Sequence, residues 1–145
     1  MIAVDTNILV YAHREDARWH RAADRVVAAL AEGKSPWAIP WPCLWEFVAI
    51  TTHPRIYDPP TPLKDALTQI RCWQASPSLV LLAEDGDFGG TLESLLLPAQ
   101  LQGGAVHDGR VAALCLHHGV SRLLSADRDF GRFPRLEVVN PLISR

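Results

Sequence analysis

The chain has 145 residues, enough for one domain with a substantial core, and its 48% hydrophobic and 21% charged residues exclude a disordered or fibrous protein. A formal net charge of -2 excludes the broad basic field of a general nucleic-acid binder, so any such contact must be local or metal-mediated. Three cysteines without a CxxC pair argue against a disulfide framework and a structural zinc site.

The first forty residues alternate between short apolar runs and helix-compatible stretches. Residues 2–4 predict a first strand, and the polar turn at residues 5–7 leads into a helix through residues 8–12. Apolar residues at helical spacing predict a second helix from Trp19 to Leu30. Residues 37–39 are a short second strand.

The middle of the chain continues the same alternation. A helix is predicted from about Cys43 to Thr52, followed by a proline-rich loop at residues 58–62 and a helix from Leu63 to Trp73. The run from Leu79 to Leu82 is an unbroken apolar strand, and a weaker helix is predicted around residues 91–97.

The last third contributes a helix from Asp108 to His118 and strands at residues 120–124 and 136–139. Strands that are apolar throughout and alternate with helices indicate a parallel sheet covered on both faces. We therefore predict the α/β class, as a three-layer α/β/α sandwich with a central parallel sheet. We expect residues 1–145 to form a single domain.

The same features bear on where the protein is found. The apolar run at residues 92–97 is stopped by Pro98, which makes it too short to span a membrane. Asp5 follows the initiating methionine too closely for the apolar region of a signal peptide. We expect a cytoplasmic protein without a membrane segment.

Three acidic residues stand at predicted strand ends or helix starts. Asp5 ends the first strand and Asp127 follows the fourth, at the edge where α/β sheets bind ligands. Asp108 opens its helix. Each also has an ordinary alternative, because Asp5 and Asp108 could cap helices and Asp129 could take the place of Asp127.

A fourth acidic residue, Glu46, lies in a helix that carries apolar residues on almost every side. Such a helix is expected to be buried, and a buried carboxylate must be paired, neutralised or bound to metal. A salt bridge to an arginine is the alternative. Taken together, the four acids predict an oxygen-only site that favours Mg²⁺ or Mn²⁺ and suits phosphoryl chemistry.

These residues resemble the PIN domains and, within them, the VapC-type toxins of bacterial toxin–antitoxin pairs. The resemblance covers essentially the whole chain. It rests on Asp5-Thr6-Asn7 with Tyr11, Glu46 inside an apolar helix, His107-Asp108 at a helix start, and the segment from Leu124 to Phe130.

The resemblance implies a Mg²⁺- or Mn²⁺-dependent endoribonuclease that acts on RNA, forms a homodimer and is inhibited by a cognate antitoxin. The residues that would hold the metal and carry catalysis are Asp5, Glu46, Asp108 and Asp127. Those that would orient them by hydrogen bonds are Thr6, Asn7, Ser125 and Asp129. Arg128, next to Asp127, is the candidate contact for an RNA phosphate.

Two other functions remain open at this point. A catalytically weak PIN-like module would bind RNA or sequester a partner without turnover. An α/β phosphatase would use Asp5 as a nucleophile, but Asn7 stands where a second acid is expected.

Two features do not follow from the resemblance. The stretch from Glu84 to Gly90 is richer in glycine and acid than expected after a strand. Four tryptophans could stack on RNA bases, but we interpret them as core or dimer packing. They are Trp37, Trp41, Trp45 and Trp73.

Overall fold

The computed structural model describes residues 1–143 and places the predicted strands in one sheet. The strands are β1 (Ile2–Val4), β2 (Trp37–Pro40), β3 (Leu79–Leu82), β4 (Arg122–Leu124) and β5 (Glu137–Val139). All neighbouring strands are parallel, in the order β3-β2-β1-β4-β5. The predicted α/β fold with a central parallel sheet is confirmed.

Each predicted helix is present, with ends that differ by at most three residues. The described helices are α1 (Thr6–His13), α2 (His20–Glu32), α3 (Trp41–Thr51), α4 (Leu63–Gln74), α5 (Phe88–Ala99) and α6 (Ala105–His117). A 3₁₀ turn follows β4 at Arg128–Arg132. Across residues 1–143, no helix is long and apolar enough to cross a membrane.

The core lies around the central strands. All four residues of β2 are buried, including Trp37, and Trp73 of α4 packs against Phe47 of α3 with ring centroids 4.9 Å apart. The expectation of double coverage is wrong for β3, which is an edge strand with Val80 40% exposed. An apolar run alone does not distinguish a central strand from an edge strand.

The order of the strands determines where a ligand can bind. From β1 the chain proceeds through β2 to β3 on one side, and β4 and β5 lie on the other, so the direction of winding reverses between β1 and β4. Crevices in open α/β sheets form at such a reversal, outside the carboxyl ends of the strands. Val4 pairs with Leu124 there, so Asp5 and Ser125 leave the sheet side by side.

Two acidic residues of the acid- and glycine-rich stretch after β3, residues 84–90, contact side chains of α6. Glu84 forms an ion pair with Arg110, and Asp85 Oδ1 lies 3.0 Å from His117 Nε2. Gly86 adopts a φ of 51°, in the left-handed region that favours glycine. The unusual composition of this stretch thus has a structural explanation.

Candidate active site

The four predicted acids border one cleft of about 570 Å³ at the carboxyl edge of the sheet. Asp5 comes from the end of β1, Glu46 from α3, Asp108 from α6 and Asp127 from the loop after β4. Clefts of this size hold small ligands in proteins. The topology thus brings together acids that are up to 122 residues apart in the chain.

Asp5 is the most buried of these acids, with 6% of its surface exposed. Its Oδ2 accepts a hydrogen bond from Ser125 Oγ at 2.6 Å, and its Oδ1 accepts a longer one from Cys43 Sγ at 3.6 Å. Asp5 precedes α1, but its side chain makes no capping bond to that helix. The structure therefore does not support the helix-cap alternative for Asp5.

Burial raises the pKa of Asp5 from 3.8 to about 6, and the negative charge of Glu46 adds to the increase. The hydrogen bonds from Ser125 and Cys43 oppose it, because they stabilise the ionised carboxylate. The Cys43 thiol is itself held protonated, since burial and the charge of Asp5 raise its pKa well above its usual value. Cys43 is thus a donor to Asp5 and not a thiolate ligand.

Ser125 links the residues that follow β1 to the loop that follows β4. Besides donating to Asp5, its Oγ accepts from the Asp127 backbone amide at 3.0 Å and lies 3.5 Å from Asn7 Nδ2. Asn7 Oδ1 in turn accepts from the Ala126 amide at 3.1 Å. These bonds fix the loop after β4 against the start of α1.

The expectation that Glu46 is buried is wrong. Its side chain is exposed to the cleft, where Oε2 accepts a hydrogen bond from Thr6 Oγ1 at 3.0 Å. Only one side of α3, with Cys43, Leu44 and Phe47, faces the core, while Trp41, Trp45 and Ile50 border the cleft. The arginine alternative also fails, because no salt bridge to Glu46 is present in residues 1–143.

Three carboxylates form a tighter group within the site. Asp108, Asp127 and Asp129 each place an oxygen within 4.8 Å of the others. Burial raises the pKa of Asp108, and the charges of Asp127 and Asp129 raise it further. Asp108 lies in the first turn of α6 and does not occupy the N-cap position, which is Gly104. Asp129, which the sequence left open as an orienting residue or as a substitute for Asp127, is thus positioned as a possible ligand together with Asp127.

The donor set fits a hard divalent cation. Its candidate ligands are all carboxylate oxygens, the type that Mg²⁺ and Mn²⁺ prefer. In the described part of the chain, Arg110 is the single arginine or lysine bordering the cleft, and Glu84 already pairs with it. Arg132 compensates part of the repulsion among the carboxylates, because it lies 3.6 Å from Asp129 Oδ1 and its charge lowers the pKa of Asp108. A bound cation would offset the remainder.

Some residues of the cleft were not identified from the sequence. Trp41 and Trp45, which were interpreted as packing residues, border the cleft, and so does Arg110. Cys43 lies behind it, fully buried and in contact with Asp5. Trp45 is 55% exposed. A signal was present, since the two tryptophans stand one helical turn apart and Glu46 follows directly. Arg128 is exposed outside this cleft and borders a neighbouring groove.

Comparison with known proteins gives consistent matches. The PIN domain family matches residues 2–136. VapC ribonuclease Mb2897 of Mycobacterium bovis is 32% identical over 142 residues, covering 98% of this chain and 96% of the relative. Ribonuclease VapC37 of Mycobacterium tuberculosis is 32% identical over 133 residues, covering 92% of each chain.

Solved structures share the fold at low sequence identity. A chain in the crystal structure of VapBC2 from Rickettsia felis has a TM-score of 0.69 at 19% identity, with 97% of this chain and 98% of that chain covered. VapC20 of Mycobacterium tuberculosis has a TM-score of 0.68 at 14% identity, with coverages of 90% and 93%.

Replacing Asp5 by Asn should make the metal-free protein less sensitive to pH. Because the pKa of Asp5 is raised on folding, its stabilising contribution is present below pH 4 and lost as the pH rises to about 6. The difference in unfolding free energy between Asp5→Asn and wild type should grow in favour of the variant by up to about 3 kcal/mol between pH 4 and pH 7. Urea unfolding in excess chelator measures it.

Asp24→Asn in α2, which removes one exposed acid far from the cleft, is the matched control. The amide introduced by the substitution does not titrate in this range. Its own effect on the unfolding free energy is therefore the same at pH 4 and at pH 7 and does not contribute to the predicted change. An Asp5→Asn difference that stays constant or shrinks as the pH rises would contradict the assignment of Asp5 as a destabilised buried acid.

Ser125→Ala should weaken binding of Mn²⁺ by about 10- to 100-fold, the usual effect of losing a group that orients a metal ligand. The substitution removes the donor to Asp5 and the acceptor of the Asp127 amide. Isothermal titration calorimetry with Mn²⁺ measures it. The control is Ser94→Ala, whose exposed hydroxyl donates to the Thr91 carbonyl, away from the cleft. Equal affinities for the two variants would contradict the orienting role.

Proposed function

Since the chain is a PIN domain of the VapC ribonuclease family, we propose that it is an endoribonuclease that hydrolyses RNA phosphodiester bonds with a divalent cation. We also propose that it is the toxin of a toxin–antitoxin pair. The observation that carries the proposed activity is the convergence of four acids on one cleft. They are Asp5, Glu46, Asp108 and Asp127.

We assign the cation, Mg²⁺ or Mn²⁺, to the carboxylates of this cleft. Asp108, Asp127 and Asp129 would hold it with their closely spaced oxygens, and Asp5 and Glu46 border the same space. When bound, such an ion polarises the phosphodiester and neutralises the charge that develops on its oxygens. The oxygen-only donor set supports these ions over zinc.

The protein's own residues keep the ligands in place. Ser125 and Cys43 hold the carboxylate of Asp5, and Thr6 holds that of Glu46. Asp127 accepts from the Asp129 amide at 2.9 Å, which orients its carboxylate while starting the 3₁₀ turn. Side chains fixed in this way are preorganised, so fewer of them need to reorder when the substrate arrives.

We propose that structured RNA, such as transfer or ribosomal RNA, is the substrate class. Arg128 is exposed directly after Asp127 and would contact a phosphate flanking the scissile one. We propose that residues 1–145 form one catalytic domain and that the protein acts in the cytoplasm, where such RNA is found.

The proposed partners are a cognate antitoxin and a second copy of the chain. Two large apolar side chains, Ile56 and Leu63, are 53% and 58% exposed between α3 and the start of α4. They support an interface on the surface between residues 19 and 73. Trp73 itself does not belong to it, because it is only 6% exposed and packs in the core.

Purified wild-type protein should cleave RNA with Mg²⁺ or Mn²⁺, and excess chelator should abolish cleavage. Asp108→Asn should lower the rate by about 100-fold or more, the scale of losing one preorganised electrostatic group. Asp24→Asn is the control for removal of one acid elsewhere. Full cleavage in chelator would contradict the mechanism, and RNA binding without cleavage under any cation would favour the weak-module alternative.

Leu63→Glu should weaken homodimerisation or binding of the protein encoded by an adjacent small gene, because it places a charge in the proposed apolar interface. Leu97→Glu is the matched control, since Leu97 is 66% exposed on α5, outside that surface. Analytical ultracentrifugation and co-purification measure both. Equal behaviour of the two variants would contradict the proposed position of the interface.

A further inference from the structure

One wall of the cleft is aromatic. Trp41 and Trp45 stack with ring centroids 5.9 Å apart and 19° between their planes, and both border the cleft. Trp45 is 55% exposed, so more than half of this large side chain is not buried by folding. Core packing therefore does not explain why the chain has a tryptophan at this position.

The position of the pair follows from how α3 begins. The helix starts at Trp41 directly after β2, with Pro42 in its first turn, where the fixed φ of proline is compatible with a helix. Residues four apart lie on the same helix face, which places Trp45 above Trp41. Glu46 follows Trp45 and points into the same cleft. The aromatic wall and the candidate metal ligands are thus parts of one surface.

The charges of the cleft limit how it can hold RNA. Of its lining residues in the described chain, Arg110 alone is an arginine or lysine, and Glu84 pairs with it. Neutralisation of many phosphates, the usual source of affinity for nucleic acids, is therefore not available at this surface. Stacking of bases on aromatic rings supplies affinity without positive charge and tolerates different base sequences.

We propose that Trp41 and Trp45 form a binding site for one unpaired nucleobase of the RNA substrate. The base would belong to a nucleotide next to the phosphate held at the carboxylates. Trp45 stacks on the base with its exposed face, and Trp41 supports the Trp45 ring from behind. This inference rests on the proposed function, and it restricts the substrate to RNA in which a nucleotide near the scissile bond is unstacked.

The test uses Trp45→Ala, Trp45→Phe and, as a control that removes another exposed apolar side chain away from the cleft, Leu97→Ala. Cleavage kinetics with Mg²⁺ or Mn²⁺ give kcat and KM. Fluorescence anisotropy in excess chelator and at low ionic strength measures binding of a labelled octamer of adenylate and of an abasic octamer with the same phosphates. Circular dichroism checks that each variant is folded, which the exposure of Trp45 favours.

We expect Trp45→Ala to raise KM about tenfold with a smaller change in kcat, the scale of losing one stacked base. Its affinity for the adenylate octamer should fall by a similar factor. Trp45→Phe should retain most of both, and Leu97→Ala should match wild type. The abasic octamer should bind wild type and Trp45→Ala equally weakly, because it has no base to stack.

An unchanged KM and octamer affinity in Trp45→Ala would overturn the inference. It would also be overturned by an equal loss for the adenylate and abasic octamers, or by a loss confined to dimerisation or antitoxin binding. If wild type cleaves RNA and Trp45→Ala cleaves it identically, only this inference fails. If wild type never cleaves but octamer binding still depends on Trp45 and on the bases, the proposed ribonuclease activity fails and the base site stands.

Discussion

The site depends on the register of β1 against β4. Pairing of Val4 with Leu124 places Asp5 and Ser125 next to each other, and the Ser125 hydroxyl then joins the Asp5 carboxylate to the Asp127 amide. A shift of one residue in either strand would turn these side chains to opposite faces of the sheet. The reversal of winding at the same place leaves the crevice open above them.

Burial and charge are in conflict at this crevice. Asp5 is almost fully buried with its pKa raised to about 6, and Asp108 is raised by burial and by its acidic neighbours. Folding therefore favours the protonated carboxylates, whereas binding a cation requires the ionised ones. A bound cation reverses the balance, because it stabilises the folded state that holds it. The site is thus a local source of instability that a bound cation would relieve.

The residues around the four acids differ between the two sides of the cleft. In the stretch after β3, Glu84 pairs with Arg110, which is the one arginine or lysine that lines the cleft among residues 1–143. The other side of the cleft is formed by α3, where the stacked Trp41 and Trp45 present an apolar surface beside Glu46. A protein with a net charge of -2 can engage a polyanion through such a surface, because base stacking needs no positive charge.

Local patterns were sufficient for the elements and for the positions of Asp5 and Asp127, because a polar residue at the end of an apolar strand reaches the ligand-binding edge in any parallel sheet. They were not sufficient for Glu46 or Trp45. An apolar residue on a helix can face either the core or a cleft, and the sequence does not distinguish the two. The apolar pattern of α3 therefore predicted that the helix is buried, although one side of it borders the cleft. Which side of α3 is covered depends on contacts with elements far away in the chain, such as Trp73 of α4 on Phe47. The approach of Cys43 to Asp5 likewise exists only once helices and strands have packed together.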